Sequence, residues 1–530
     1  MSMTTMAAYR SEQVAGEDSF AALLRAEWTK FRSVRAWLIA SAVAGLLIAG
    51  FALLNGAGSH TSYCPGPPQP CVKGGPPVSY GPGGEQVDDT YEFVHQPLDG
   101  NGSITVELTS MTGLAGVSEH VEAGHPLAHT RAALEPWAKA GLIITENTSQ
   151  GSPYAAVMAT GGNGVRFQWN YTGDTAGLPG PVSASSPRWL RLTRSGDTLT
   201  GSVSTGGASW TTVGSTTLAG LPETVQAGMF VTSPLVDVRT QHLMVTTGHM
   251  EPSQLTAVFT NVSLGGQWPA GSWSGDNVGQ NLGPDAGSGT SAYAQTGGTF
   301  TISGSGNIAP SVDNGPGQLG SSLGGAFIGL IVVAVVGVLF ITSEFRRGMI
   351  RTTLAASPRR GRVLAAKAAV IGAVTFVVAL IGASAGAALG EQVLRANGNY
   401  VPSIGLFTTV RVIGGTAAVL AVTAVFSLAI GSILRRSAGA VTATIVLTLV
   451  PMILVTSGLP AGPSEWILRL FPAAGFAVQQ TVVAYHQVGF TYAPVNGYFP
   501  LPYCAGFAVL CVWAAGALAL AVCLLNRRDT

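Results

Sequence analysis

Two groups of residues in this chain have the side-chain types of a metal or catalytic site. His120, His125 and His129, with Glu119 and Glu122 beside them, offer imidazole and carboxylate ligands. The spacing H-x4-H-x3-H in a Gly- and Pro-containing stretch defines no fixed tetrahedral set, so it reads as a polar insertion and no metal is expected. Gly382-Ala383-Ser384-Ala385-Gly386 has the GxSxG form of a nucleophile elbow. It lies in the middle of an uncharged apolar stretch, where small residues let helices approach and no strand-to-helix turn is available. No GxxxxGK[ST] sequence is present, so the chain has no phosphate-cradling loop of its own. No enzyme and no cofactor are expected from these residues.

The elements around them belong to a membrane protein. Only 10% of the residues are charged and 47% are hydrophobic, where a soluble domain carries about 25% charged residues. Six windows are long enough to cross about 30 Å of hydrocarbon, which takes about 20 helical residues. They are Ala36 to Leu54, Leu323 to Ile341, Ala368 to Leu389, Val412 to Leu434, Ala438 to Val455 and Cys504 to Leu525. None contains Asp, Glu, Lys, Arg or His. Ion-coupled transporters need such groups within the membrane, so any energy for transport is expected from a separate component. About thirty-five residues precede the first window, longer than a signal-peptide n-region, so it is read as an uncleaved span. Pro451 is expected to interrupt the fifth helix.

Charge placement sets the expected orientation. With the N-terminus inside, 16 of the 27 Lys and Arg fall on the cytoplasmic side and only Arg395, Arg411 and Arg469 on short outer loops. The formal net charge of +1 gives no argument for a nucleic-acid partner. Both termini are then cytoplasmic and the long segment between helices one and two is extracellular. Cys64 and Cys71 flank PGPPQP in that segment. A disulfide would close the loop in an oxidising compartment, and the sequence leaves both the bridged and the open form standing.

The expected fold class is an α-helical polytopic membrane protein with six spans and a large extracellular antiparallel β-sandwich inserted between helices 1 and 2. Residues 1–35 form an N-terminal amphipathic segment. Phe20, Leu23, Leu24 and Phe31 share its apolar stripe, which fits a helix on the inner membrane surface and equally one docked on protein. Helix 1 occupies 36–55 and a Pro/Gly-rich linker 56–87. In 88–264, strand-like runs alternate with turn signals such as Ser195-Gly196-Asp197 and Gly206-Gly207, as in successive hairpins. A Gly/Ser-rich region follows at 265–322, and helices 2–6 occupy 323–530 with an intracellular loop at 342–367.

That loop carries seven Lys and Arg between Ser343 and Lys367. Its core, EFRRGMIRTTL, Glu344 to Leu354, together with LRAEWTKFRSVRAW, Leu24 to Trp37, resembles the ABC-2 type ABC transporter permeases of actinobacteria. The resemblance covers residues 20–55 and 323–530. It implies a permease subunit of an ATP-driven exporter, working as a homodimer or with a related second permease in the lipid bilayer. A separate ABC ATPase subunit would bind ATP-Mg. It also implies that Glu344, Phe345, Arg346, Arg347, Gly348, Met349, Ile350, Arg351, Thr352, Thr353 and Leu354 form the ATPase-coupling element, Met349 standing where Thr is more usual. The apolar stretch Ser464 to Tyr485 resembles the family's short outer-side re-entrant helices. The alternative is a membrane-anchored binding or sensor protein without transport.

The extracellular segment resembles the concanavalin-like, laminin-G-like sandwich in strings such as YEFVHQPLDGNGSITVEL, Tyr91 to Leu108, and AGMFVTSP, Ala227 to Pro234. GSWSGDNVGQ and GGTFTISGSGNIAP look like the opening of a truncated second copy, expected to pack on the first or to serve as a linker. By this resemblance Tyr154, Trp169, Tyr171 and Trp210 are candidates to stack on an extracellular glycan. The competing reading places the same rings in the core.

Overall fold

The computed structural model describes residues 19–63, 71–74, 78–116, 130–242, 245–269, 271–279, 292–312, 318–357, 359–456, 461–488, 494 and 497–527. The histidine cluster His120, His125, His129 with Glu119 and Glu122 lies outside them, as does Cys64. The chain forms two compact units, one of Met1–His60, Asn314–Val482 and Tyr492–Thr530, the other of Thr61–Asp313 and Val483–Thr491.

The first unit is helical. Its elements are α1 (Phe20–Ser33), α2 (Arg35–Gly58), α3 (Leu319–Ser322), α4 (Gly325–Arg346), α5 (Met349–Ala356), α6 (Arg360–Ala396), α7 (Leu406–Leu434), α8 (Ser437–Thr448), α9 (Val450–Thr456), α10 (Ala461–Leu470) and α11 (Tyr503–Arg527). Among the described residues, six apolar helical stretches are long enough to cross a membrane: α2, α4, α6, α7, α8 continued by α9, and α11. Leu449 separates α8 from α9, beside Pro451, whose ring displaces a helical carbonyl and which has no N–H to donate.

Helix α6 packs on α2 through its small residues. A Cβ on Gly382 would lie 2.6 Å from the Gly45 carbonyl oxygen, and one on Gly386 would lie 3.3 Å from Ala49 Cα. The two backbones therefore touch, as small-xxx-small spacing permits in a membrane. Hydroxyls buried in these helices bond back to the preceding turn, as from Thr416 to Val412 O (2.7 Å) and from Thr423 to Val419 O (2.8 Å).

Before α11 the chain forms α10 and a short 3-10 helix, Pro472–Gln479. Arg411 of α7 donates to Val478 O (3.2 Å) and Gln480 O (2.6 Å), and Trp513 of α11 donates to Leu470 O (2.9 Å). Gln479 donates to Thr416 Oγ1 in the interior (3.0 Å). The bonds from Arg411 and Trp513 satisfy backbone carbonyls that a broken helix leaves open.

The second unit is β-rich. The strand Tyr91–Gly116 organises it, pairing antiparallel with Thr224–Thr232 through its first half and with Arg188–Ser195 through its second. Ser253–Gln267 and Ser274–Val278 line its other edge. Val94 and Leu98 from the first half and Ile104, Val106 and Leu108 from the second meet in one buried cluster with Leu142, Val157, Phe167 and Leu190. The hairpin Arg188–Ser195 to Thr198–Ser204 turns through Gly196 and Asp197, and Gly196 has φ +62°. That left-handed backbone is the reason glycine occupies this two-residue turn.

The segment expected as a truncated copy joins these same sheets. Ala292–Thr296 and Thr299–Gly304 form a hairpin on Ser253–Gln267, and Ile308–Pro310 pairs with Gln86–Asp89. The expected linker 56–87 likewise contains paired strands, Ser62–Tyr63 with Val72–Lys73 and Ser79–Tyr80 with Gln86–Asp89. Residue 264 is thus no boundary, because strands on both sides of it share ladders.

Candidate functional site

The chain around Glu344 to Leu354 is shaped by one glycine. Helix α4 ends at Arg346, and Gly348 adopts φ +66°, the left-handed conformation that commonly stops a helix. Helix α5 starts at the next residue. Its Ile350 and Leu354, one helical turn apart, are buried in the same apolar cluster as Phe31 of α1, Phe340 of α4 and Val363 of α6. Arg346, Arg347, Gly348, Met349, Arg351 and Thr352 are exposed. Of the eleven residues singled out in sequence, these six present a basic surface around one thioether. Glu344, Ile350 and Leu354 face inward. Phe345 is half-buried with the Arg435 guanidinium 5.0 Å from its ring centre.

Beneath α5 lies a network of buried charges that joins four elements. Lys367 of α6 is fully buried, and its ammonium donates to Glu27 Oε2 of α1 (2.6 Å) and to Glu344 Oε1 of α4 (2.6 Å). Lys30 of α1 donates to Glu27 Oε1 (2.9 Å), Glu344 Oε1 (3.3 Å) and Thr353 Oγ1 of α5 (3.3 Å). Both carboxylate side chains are at most 4% exposed. Two acids face two ammonium groups, so the set is formally neutral, with Lys30 at its solvent-facing edge. The Lys367 ammonium also lies 5.0 Å from the centre of the Phe340 ring, a favourable cation–π position. Burial depresses the Lys30 ammonium pKa, but the hydrogen bond and charge of Glu27, with Glu344, outweigh it and hold the group above its ordinary value.

Aromatic packing fixes α1 over this network. Phe31 is fully buried, edge-on to Phe340 (5.7 Å between ring centres) and stacked near Trp37 (5.9 Å). Phe20, expected on the same stripe, is instead exposed, as is Trp28. Glu27 lies one turn before Phe31 and so shares its inward face. The sequence signals were present, in Glu27 four residues before Phe31 and in Glu344 as the acid of a basic loop. The ion pairs themselves were missed, because Lys367 reads as a topology charge.

The remaining candidates do not form one site. Tyr154 and Tyr171 are buried, their rings edge-on at 5.0 Å, and Tyr171 donates to Asp89 Oδ2 (2.7 Å). This corrects their candidacy for stacking on a glycan, since neither ring presents a face. Burial also raises both phenols above their ordinary pKa. Trp169 is partly buried against the core beside Phe167. Trp210 is half-buried, stacks on the Arg191 guanidinium at 3.9 Å and donates to Gly207 O. Cys71 is disulfide-bonded, whereas Cys504, Cys511 and Cys523 are free thiols. Among the described residues no group of three His, Cys, Asp or Glu is placed to hold a metal.

Residues 223–530, more than half of the chain, match the family model described as ABC-2 family transporter protein. No curated protein matches the chain. Among solved structures, scytalido-glutamic peptidase with a transition state analog inhibitor is 9% identical and covers 40% of this chain and 98% of its own, with a TM-score of 0.25. A functionally unknown protein from Saccharomyces cerevisiae is 13% identical and covers 33% of this chain and 74% of its own, with a TM-score of 0.20. Likenesses this distant support no statement about fold or activity.

Proposed function

The chain belongs to the ABC-2 family of transporter proteins, and from that premise we propose that it is the membrane-spanning permease subunit of an ATP-driven exporter. The observation that carries the reading is α5, an eight-residue helix whose exposed Met349, Arg351 and Thr352, with Arg346 and Arg347 just before it, stand over the charge network. A separate ATPase subunit binding ATP-Mg docks on that surface. Two permease chains, identical or related, and two ATPase subunits make the working assembly. Both termini and α5 are cytoplasmic, following the positive-inside distribution of Lys and Arg. The β-rich segment within residues 56–322 is an extracellular lectin-like sandwich that receives substrate or holds the envelope.

The test is a detergent pull-down of the full chain with its candidate ATPase, comparing wild type with an Arg351→Glu, Met349→Glu double variant. Retention of an active ATPase by wild type and its loss in the variant is the expected result. If no ATPase is retained by either, the reading fails, and a membrane-anchored binding protein takes its place.

A further inference from the structure

The buried network places an element outside the family match in contact with α5. Helix α1 lies well before residue 223, where that match begins, yet two of its side chains reach the network. Glu27 Oε2 accepts from Lys367 and Glu27 Oε1 from Lys30, while Lys30 also donates to Thr353 on α5. We infer that Glu27 is a positioning residue: through Lys30, Lys367 and Glu344 it clamps α1, α4, α5 and α6 together, so that α1 forms part of the element that receives the ATPase. The coupling role rests on the permease reading; the clamp does not.

Charge balance gives the argument its direction. With Glu27 present, two buried carboxylates face the buried Lys367 ammonium and the Lys30 ammonium, whose side chain is 38% exposed. With Glu27 neutral, Lys30 and Lys367 both turn to Glu344 Oε1, which already accepts from each, and one positive charge is left uncompensated. Glu344 Oε2 is buried without a hydrogen-bond partner, so that carboxylate does not already satisfy a further donor there. Stranding a buried charge costs far more than the intact pair contributes. The site relieves it by releasing Lys30, and with it the bond to Thr353.

The experiment is hydrogen exchange on the full chain in lipid nanodiscs, following the amides of Met349–Ala356. Glu27→Gln is expected to speed their exchange by at least about tenfold, whereas Arg25→Gln, on the exposed side of the same helix, leaves them unchanged. Lys367→Gln loosens α5 as well, by leaving two carboxylates against one ammonium. The double variant Glu27→Gln, Lys367→Gln restores neutrality and is expected closer to wild type than either single variant. Exchange in α5 that ignores Glu27→Gln, or a double variant that adds the two effects, overturns the clamp. In the same preparations Glu27→Gln retains bound ATPase but alters its turnover, and full turnover there would overturn the coupling role alone. Absence of bound ATPase on wild type would overturn the permease reading and the coupling role together, with the clamp still decided by the exchange result.

Discussion

Replacing three helical glycines with alanine tests how closely α2 and α6 approach. Removing a glycine from a helix interior stabilises it by roughly 0.5–1 kcal/mol through the lost flexibility of the unfolded chain. At Gly414 of α7 no atom lies within 4 Å of the added Cβ, so the full gain is expected. At Gly386 the nearest atoms are at 3.3 Å, and a shift of a few tenths of an ångström cancels most of it. At Gly382 the Cβ would lie 2.6 Å from Gly45 O and 3.0 Å from Gly45 Cα. Those are backbone atoms with no rotamer to yield, so the helices must separate, at an overpacking cost of about 1–3 kcal/mol. Equilibrium unfolding of the full chain in mixed micelles should therefore rank Gly414→Ala above Gly386→Ala above Gly382→Ala, with a total span of about 2 kcal/mol. Equal stability for Gly382→Ala and Gly414→Ala would refute the backbone contact between α2 and α6.

Three further outcomes are expected. Ile350→Ala, which empties a buried position beneath α5, should destabilise that helix by about 2–5 kcal/mol, seen as loss of amide protection in Met349–Ala356, while Thr352→Ala on the exposed side leaves protection unchanged. Burial holds the Asp89 carboxyl up at about 6 against the Tyr171 hydroxyl and the Gly151 N–H, which favour its ionised form. The folded chain therefore keeps its proton where the unfolded chain has lost it, and stability falls by roughly 3 kcal/mol as pH rises from about 4 to about 6. Asp89→Asn should flatten that slope in thermal unfolding of the β-rich unit, and an unchanged slope would count against the assignment. Gln487 is buried and donates to Tyr171 O (3.0 Å) and Thr172 O (3.1 Å). Gln487→Ala should cost about 1–3 kcal/mol and speed proteolysis near Thr172; unaltered cleavage would rule out a stabilising role for those bonds.

The six apolar stretches were legible because hydrocarbon selects composition directly, but their ends were not. The window beginning at Ala368 belongs to a helix that starts at Arg360, since Arg362 and Lys367 continue the helical hydrogen bonding while lying outside the apolar run. The sequence left Tyr154 open between glycan and core because every residue of Tyr154–Thr160 is buried, and a strand covered on both faces has no polar side to count. The charge network was the least legible feature. Glu27 and Lys367 are 340 positions apart, and no periodicity links residues that meet only when three helices pack. What the sequence did carry was the contrast within 342–367, a single acid among basic residues, and the structure places that acid at the centre of the network.

Helix α6 has mechanical consequences of its own. Its 37 residues contain no proline and extend about 55 Å, far more than the hydrocarbon thickness. Lys367 holds it near one end, and beyond the other Asn397 donates to Gly56 O (2.8 Å) and Asn399 to Ser59 O (2.9 Å). Tied to α2 at that end and packed on it through Gly382 and Gly386, α6 is expected to carry α2 with it when it tilts. A tilt of about 5° around Lys367 would carry Asn397 through roughly 4 Å, too far for its bond to Gly56 O to survive unless the end of α2 moves with it.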